Sequence, residues 1–373
     1  MKTKETDIVV IGAGPAGLSA AYEARRFGAE VLVIDENRLP GGQLFKQIHK
    51  FFGSHEQRAG TRGYKIGQQL LEDVHQSGVE VWLNAVVYGM EPDTSLGVIY
   101  EEQNIVVRAK KVIVATGAKE NYMAFPGSTL PGVMGAGAAQ TMANVNRVLP
   151  GERVVMVGSG NVGLIVSYQL MQAGVKVLAI VEAAPTIGGY GVHAGKIRRA
   201  GVPILVGHTV TRAYGNGKVE KVEISQVDQY FQPVPGTEEV LEADTICLAV
   251  GLNPMTELLW MAGCQFCYIG SFGGHVPLHD EHMETSVSGL YVAGDVTGVE
   301  EASSAMEEGR LAGICAAESL GLMASDVAEK EIRETRHRLN VLRSGMFGEI
   351  RRKNKDEQIL AMKRYRRMEA EQQ

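Results

Sequence analysis

Only four cysteines occur in the 373 residues, at positions 247, 264, 267 and 315. Cys264 and Cys267 have C-x-x-C spacing, but no second pair follows, so the four ligands of a structural zinc site are missing and no metal is expected. No Lys, Arg or His sits beside the pair to lower a thiol pKa. "CQFCYI" therefore reads as a packing segment rather than a redox dithiol, and Cys247 and Cys315 read as core residues. No apolar run approaches the ~20 residues that cross a bilayer, so no membrane span is expected. The first apolar run, in "MKTKETDIVVIGAG", is short and flows into a glycine turn, which marks a strand rather than a signal peptide. Few cysteines and no export signal point to a reducing, cytoplasmic setting. Positive charge is short overall, with a net charge of −6, which speaks against a nucleic-acid partner. What there is gathers at one end. Residues 330–373 carry 13 Lys/Arg against 7 Asp/Glu, a net of +6 that leaves −12 for the rest.

Glycine, by contrast, is plentiful: 45 residues, set in short turns beside apolar runs. That is the pattern of many strand–turn–helix junctions, and the length suggests two domains. Residues 7–36 read "DIVVIGAGPAGLSAAYEARRFGAEVLVIDE". Ile8–Ile11 fits a buried parallel strand. Gly12, Ala13, Gly14, Pro15, Ala16 and Gly17 then form G-x-G-x-x-G, followed by a helical stretch Leu18–Phe27 and a second strand Val31–Ile34 that ends at Asp35 and Glu36. The glycines allow a tight turn, a pyrophosphate against the backbone and close helix–strand packing, while Asp35 is placed for a ribose hydroxyl. The helix N-terminus adds free N–H groups and partial positive charge.

The pattern recurs 146 residues later in "RVVMVGSGNVGLIVSYQLMQAGVKVLAIVEA", where Gly158, Ser159, Gly160, Asn161, Val162 and Gly163 follow the strand Val154–Val157. Aligning Gly28 with Gly174 sets Val181 opposite Asp35, so the second acid, Glu182, comes one residue late. No Arg pair follows it to hold a 2′-phosphate, which favours NAD(H) over NADP(H). A vestigial fold kept for packing is the alternative.

Three further segments complete a pattern. "VIVATGAKE" sets Ala115, Thr116 and Gly117 at the end of a strand, "LPGGQLFKQ" carries Gly42 and Gln43, and "METSVSGLYVAGDVTG" ends a strand at Gly294 and Asp295 before a helix. In this order they resemble the two-dinucleotide-binding-domain flavoproteins of the pyridine-nucleotide–disulfide oxidoreductase superfamily, over about residues 5–322. The resemblance implies an α/β fold of two Rossmann-like domains, with FAD on the first turn and a nicotinamide on the second. Carried over, the Gly12–Gly17 turn holds the FAD pyrophosphate and Asp35 the adenosine ribose. Gln43 lies along the cofactor, Val86 meets the adenine through its backbone, and Asp295 binds a ribitol or phosphate group. The implied map is discontinuous: an FAD domain at 1–118 and 252–325, an inserted NAD-type domain at 119–251 and a basic helical extension at 326–373. Gly251 echoes Gly117 at the second crossover. The places where this superfamily carries its redox cysteines, "LPGGQLFKQIHK" and "LPGVMGAGAAQTMANVNRV", contain none.

"LPGVMGAGAAQTM", the second turn and "GGYGVHAGKIRRAGVPI" resemble a narrower group. These are the FAD/NAD-type subunits of heterotetrameric sarcosine oxidase, opine oxidase, hydrogen cyanide synthase and dye-linked proline dehydrogenase. That likeness implies a hetero-oligomer in which the chain passes electrons between FAD or NAD(H) and a partner flavoprotein or iron–sulfur subunit. Many of that group end in a cysteine-rich cluster module, yet this chain has no cysteine after Cys315, so any cluster would come from another polypeptide. Two other readings stay open: a stand-alone NAD(P)H-dependent flavoprotein reductase, and a non-catalytic nucleotide-binding scaffold. No catalytic acid or base is assigned, because transfer between two stacked cofactor rings requires none. His49 and His193 read as structural. The basic tail reads as a solvated helical face or a dock for an acidic partner, and its aromatics, Phe347 and Tyr365, form no stacking pattern for nucleic acid.

Overall fold

Ile8, Val9, Val10 and Ile11 are all 5% exposed or less, because the strand they belong to is covered on both sides. This is β1 (Lys2–Ile11), central in the first sheet of a computed structural model that describes residues 2–51, 58–91, 93–345 and 348–372. Phe347 lies outside the described residues. After β1 come α1 (Pro15–Arg26), β2 (Val31–Ile34), α2 (Gly63–Gln76), β3 (Glu80–Trp82), β4 (Val86–Met90), β5 (Leu96–Tyr100) and β6 (Gln103–Val114). Pro15 at N1 presets the first turn of α1, and Arg25 and Arg26 face the negative end of its dipole. The strands order as β3-β2-β1-β6-β5-β4.

The chain then passes through β7 (Ala118–Glu120) into β8 (Val133–Gly135), α3 (Ala136–Asn144), β9 (Arg153–Val157), α4 (Asn161–Gln172), β10 (Lys176–Glu182), α5 (Gly191–Arg199) and β11 (Ile204–Val206). β12 (His208–Tyr214), β13 (Lys221–Gln226) and β14 (Glu239–Leu241) form an antiparallel sheet before β15 (Thr245–Leu248). The parallel sheet here runs β11-β10-β9-β15-β8. β16 (Leu252–Pro254) leads back to α6 (Glu257–Met261), β17 (Phe266–Ile269), β18 (Gly274–Pro277), β19 (Leu290–Val292), α7 (Ala302–Ser319), α8 (Ser325–Leu342) and α9 (Glu349–Gln372). β19 joins the first sheet, parallel to β6 at Val112–Val114. The chain thus divides into two compact units, Met1–Lys119 with Asn253–Gln373, and Glu120–Leu252. The expected α/β fold of two Rossmann-like units is what the chain builds.

Within the first unit, period-2 alternation splits the core. Ile8 and Val10 face α1 and α7, while Val9 and Ile11 face the cluster of β4, β5 and α6. Each such buried side chain contributes roughly 1.5–3 kcal/mol. α8 joins the helical side through Ala328, Ile332 and Leu339. α9 turns Asn354, Lys355, Gln358 and Met362 inward, all 9% exposed or less. The basic extension is therefore part of the first unit, and two of its cations, Arg343 and Lys355, are buried. No helix among the described residues is long and apolar enough to cross a membrane.

Candidate functional site

The first glycine turn is shaped by contacts that only glycine permits. Gly12 has φ +104°, and a Cβ there would stand 2.4 Å from the carbonyl oxygen of Ala115. A Cβ on Gly17 would meet the Gly12 oxygen at 1.8 Å. α1 therefore starts hard against the end of β1. Gly14 is its N-cap, and no side chain among the described residues caps the first N–H groups. Those groups point out of the turn with the positive end of the helix dipole behind them, an anion cradle.

Around this cradle the fold gathers nearly all of the first set of candidate residues. Asp35 is 8% exposed and accepts from the Ala13 N–H at 2.6 Å on Oδ2, and from the Asn37 N–H and Nδ2 at 2.7 and 2.9 Å on Oδ1. Glu36 beside it is exposed. Gly41 donates to the Ala13 oxygen, and Gly42 lies so close that a Cβ would sit 2.9 Å from Gly14 Cα. Gln43 follows it, exposed, on a short 3-10 helix. Val86 opens β4 with its side chain outward, next to Ala85, whose N–H donates to the Asp35 oxygen. The Ala115 N–H donates to Ile11 O, Thr116 Oγ1 donates to Met255 O, and Gly117 turns with φ +76°. From the other end of the chain, a Cβ on Gly294 would touch Ala16 Cβ at 2.8 Å, so Gly294 and Asp295 come to the mouth of the same turn.

The second turn repeats the geometry. Gly158 has φ +100°, and a Cβ there would stand 2.3 Å from the Ala249 oxygen; one on Gly163 would meet the Gly158 oxygen at 2.1 Å. Gly160 caps α4, Val162 is 44% exposed in its first turn, and Gly251 lies beyond β15 with φ +104°. Glu182 Oε2 accepts the Ser159 N–H at 2.8 Å and the Ser159 hydroxyl at 2.6 Å, and its Oε1 accepts the Ala184 N–H at 2.9 Å. Asn161 Oδ1 accepts from the Tyr190 N–H. The one-residue lag expected for Glu182 is removed in three dimensions. A register shift between Val177 and Ala179 bulges Leu178 out of the β9–β10 ladder. After it, Val181 pairs with Val157 as Ile34 pairs with Ile11, and the acid follows immediately in both.

The cysteines stand apart from both turns. Cys264 is 5% exposed in the core, with Sγ 3.6 Å from Thr285 Oγ1, and burial pushes its thiol up to about 11. Cys267 is likewise raised by burial, Cys247 is pushed to about 12, and burial holds Cys315 well above the ordinary thiol range. No activated thiolate arises in such surroundings.

Several residues with clear tasks escaped the sequence reading. Asn37 fixes Asp35. Glu308, 3% exposed on α7, accepts the Gly294 N–H at 2.9 Å, and Arg343 and Lys355 ring it. The only outward sign is a pair of glutamates inside the small-residue helix "ASSAMEEGRLAGICAAES". The carboxyl of half-buried Asp295 is pushed up to about 7 by burial, with Glu308, Glu300 and Glu301 adding to the rise and the Glu300 N–H opposing it.

Known proteins resemble this chain. An opine oxidase subunit from Agrobacterium tumefaciens (strain Ach5) is 32% identical over 351 residues, a span of 89% of this chain and 69% of that protein. Hydrogen cyanide synthase subunit HcnB of Pseudomonas aeruginosa is 27% identical over 347 residues, covering 88% of this chain and 73% of its own. The crystal structure of T. acidophilum thioredoxin reductase shares the fold, with a TM-score of 0.71 at 23% identity, over 85% of this chain and 99% of that one. The pyridine nucleotide-disulphide oxidoreductase family matches residues 6–309. With that match spanning both turns and both crossovers, the chain belongs to this family and is an FAD-dependent oxidoreductase, similar to proteins named as subunits of opine oxidase and hydrogen cyanide synthase.

Proposed function

We propose that the chain is the electron-transferring FAD subunit of an amine or amino-acid dehydrogenase (oxidase) complex, and that it also binds NAD(H). The observation that carries this is the matched pair of acids. Among the described residues, Oδ1 of Asp35 is filled by two Asn37 donors and Oδ2 keeps one free lone pair; on Glu182, Oε2 is filled by Ser159 and Oε1 keeps one. Each acid is thus oriented by its own turn and left able to accept one more hydroxyl, as a nucleotide ribose offers. A turn kept only for packing has no need of an acid so held. The residues following Glu182, Ala183 and Ala184, offer no cation for a 2′-phosphate, which favours NAD(H).

In this reading the N–H groups at the start of α1 hold the FAD pyrophosphate, Asp35 holds the adenosine ribose and the Val86 backbone meets the adenine. Gly42, Gln43, Ala115, Thr116 and Gly117 line the cofactor's path, and Asp295 holds a ribitol or phosphate oxygen. Gly158 to Gly163, Glu182 and Gly251 hold the second nucleotide. Bound there, FAD supplies two-electron chemistry at its ring. With every thiol's pKa raised, an internal dithiol is a poor relay, so electrons pass to or from a partner flavoprotein or iron–sulfur subunit. The relatives named as subunits of opine oxidase and hydrogen cyanide synthase support that destination.

An anaerobic NADH titration of the purified yellow chain, followed by affinity capture from its native host, tests this. Capture of a second flavoprotein is the expected result. A lone chain that turns over NADH with a small acceptor at full rate would instead make it a self-sufficient reductase.

A further inference from the structure

Lys355 arrives from α9, far along the chain, and is 2% exposed. Its Nζ donates to the Thr297 carbonyl oxygen at 2.9 Å and to Thr297 Oγ1, and forms an ion pair with Glu308 Oε1 at 3.0 Å. The Phe272 ring lies 5.2 Å beneath it. Arg343, at the end of α8, reaches the other side: it bonds Glu308 Oε1 and both oxygens of Glu300 at 3.1 Å. Both groups converge on one turn. Glu308 Oε2 accepts the Gly294 N–H and the Thr297 hydroxyl, each at 2.9 Å, and the Glu300 N–H donates to Asp295 Oδ1 at 3.2 Å. The segment Gly294–Thr297 is thus bolted to a buried carboxylate, and that carboxylate is neutralised by cations from the last thirty-one residues of the chain.

We propose that Lys355 and Arg343 are positioning residues for the FAD site, cancelling the charge of Glu308 beneath the Gly294–Thr297 turn and holding Asp295 where the cofactor needs it. The inference rests on the FAD reading of the first turn. A buried ion pair is a weak source of stability, since desolvation consumes most of the attraction, but stripping one member leaves an uncompensated charge. Here two carboxylates, Glu300 and Glu308, are set against two cations, with the Asp295 carboxyl beside them adding negative charge wherever it ionises. With Lys355 gone, the excess negative charge lies beside the place where a diphosphate must bind and where a reduced flavin gathers negative charge. Both are then disfavoured. The basic extension, on this account, belongs to the cofactor site and its two buried cations are not available to a partner's surface.

The test uses the full chain stripped of flavin and titrated with FAD alone, followed by the midpoint potential of the loaded protein. NADH binding serves as a control on the second turn. Lys355→Met is expected to weaken FAD binding at least about thirtyfold, the lower range for orphaning a buried charge, and to move the potential negative. NADH affinity should stay unchanged. Lys355→Met combined with Glu308→Gln removes both charges and should return FAD affinity to within about threefold of wild type, the pattern of a coupled pair. A Lys355→Met chain with wild-type affinity and potential overturns the inference, as does a double variant no better than the single. Should the single variant fail to fold, the double variant decides alone: near-wild-type affinity supports charge cancellation and weak binding refutes it. A wild-type chain that takes up no FAD overturns the reading of the first turn and this inference with it.

Discussion

Ser159 donates twice to one oxygen of Glu182, through its N–H at 2.8 Å and its hydroxyl at 2.6 Å. In the first turn Ala13 donates once to Asp35, at 2.6 Å, and Asn37 takes the other oxygen. The two acids are held by different donors in the same posture. Replacing either should then affect one nucleotide and spare the other. Glu182→Ala is expected to raise the NADH dissociation constant about tenfold or more, the range for losing a hydrogen bond to a charged acceptor, with FAD content unchanged. Asp35→Ala should strip FAD and leave NADH binding in place. Equilibrium titration of each variant with each nucleotide measures this, and a Glu182→Ala protein with unaltered NADH affinity would remove the second site.

The C-x-x-C pair permits an equally direct check. Cys264 is packed in the core and Cys267 against Phe272 and its neighbours, both with raised thiol pKa values. Cys264→Ala and Cys267→Ala should each leave the rate of flavin reduction by NADH within about twofold, while Cys264→Ala lowers Tm because it opens a small cavity. A large loss of rate in either, with the fold intact by circular dichroism, would return the pair to the electron route.

Much of the site was legible because its parts lie close in sequence. Gly12 to Asp35 is a single strand–turn–helix–strand, and its residue types follow from steric and electrostatic demands at fixed spacing. Glu182 was legible as an acid but misplaced by one residue, since nothing in "KVLAIVEA" announces that Leu178 will bulge from the ladder. Lys355 and Arg343 were not legible at all. A charge tally over residues 330–373 sees thirteen cations and treats them alike. Which two are drawn inward depends on where α7 holds Glu308, and only tertiary packing decides that.

His279 adds a stability slope in acid. It is 1% exposed, its Nδ1 lies 2.8 Å from the Asp280 oxygen, and its Nε2 has no partner among the described residues. Burial, reinforced by Lys355, pushes its pKa down to about 4. An unfolded chain takes up this proton near pH 6.5, so between about 6.5 and 4 the unfolded state binds the proton and the folded state refuses it. Stability should fall across that window, by roughly 3 kcal/mol at the lower end. Thermal melts of wild type and His279→Gln from pH 7.5 to 4 should diverge in slope; parallel curves would mean the imidazole is protonated in the folded protein.

Asp295 runs the opposite way, and it ties stability to function. Its folded pKa is raised to about 7 against an ordinary 3.8. The folded protein therefore holds that proton more tightly, and the contribution, complete below about pH 4, is lost as pH rises through 7. Above that, the protein alone carries an ionised carboxylate in surroundings that penalise it. Asp295→Asn should then melt higher than wild type at pH 8 without FAD, with the difference closing as the pH falls toward 4. The same variant should bind FAD more weakly, because an amide is a poorer acceptor for a ribitol hydroxyl than a carboxylate. A gain in Tm paired with a loss of FAD affinity is the signature of a residue kept for its ligand at a cost to the fold. A variant that melts lower at pH 8, or that binds FAD undiminished, would show that Asp295 serves the turn itself.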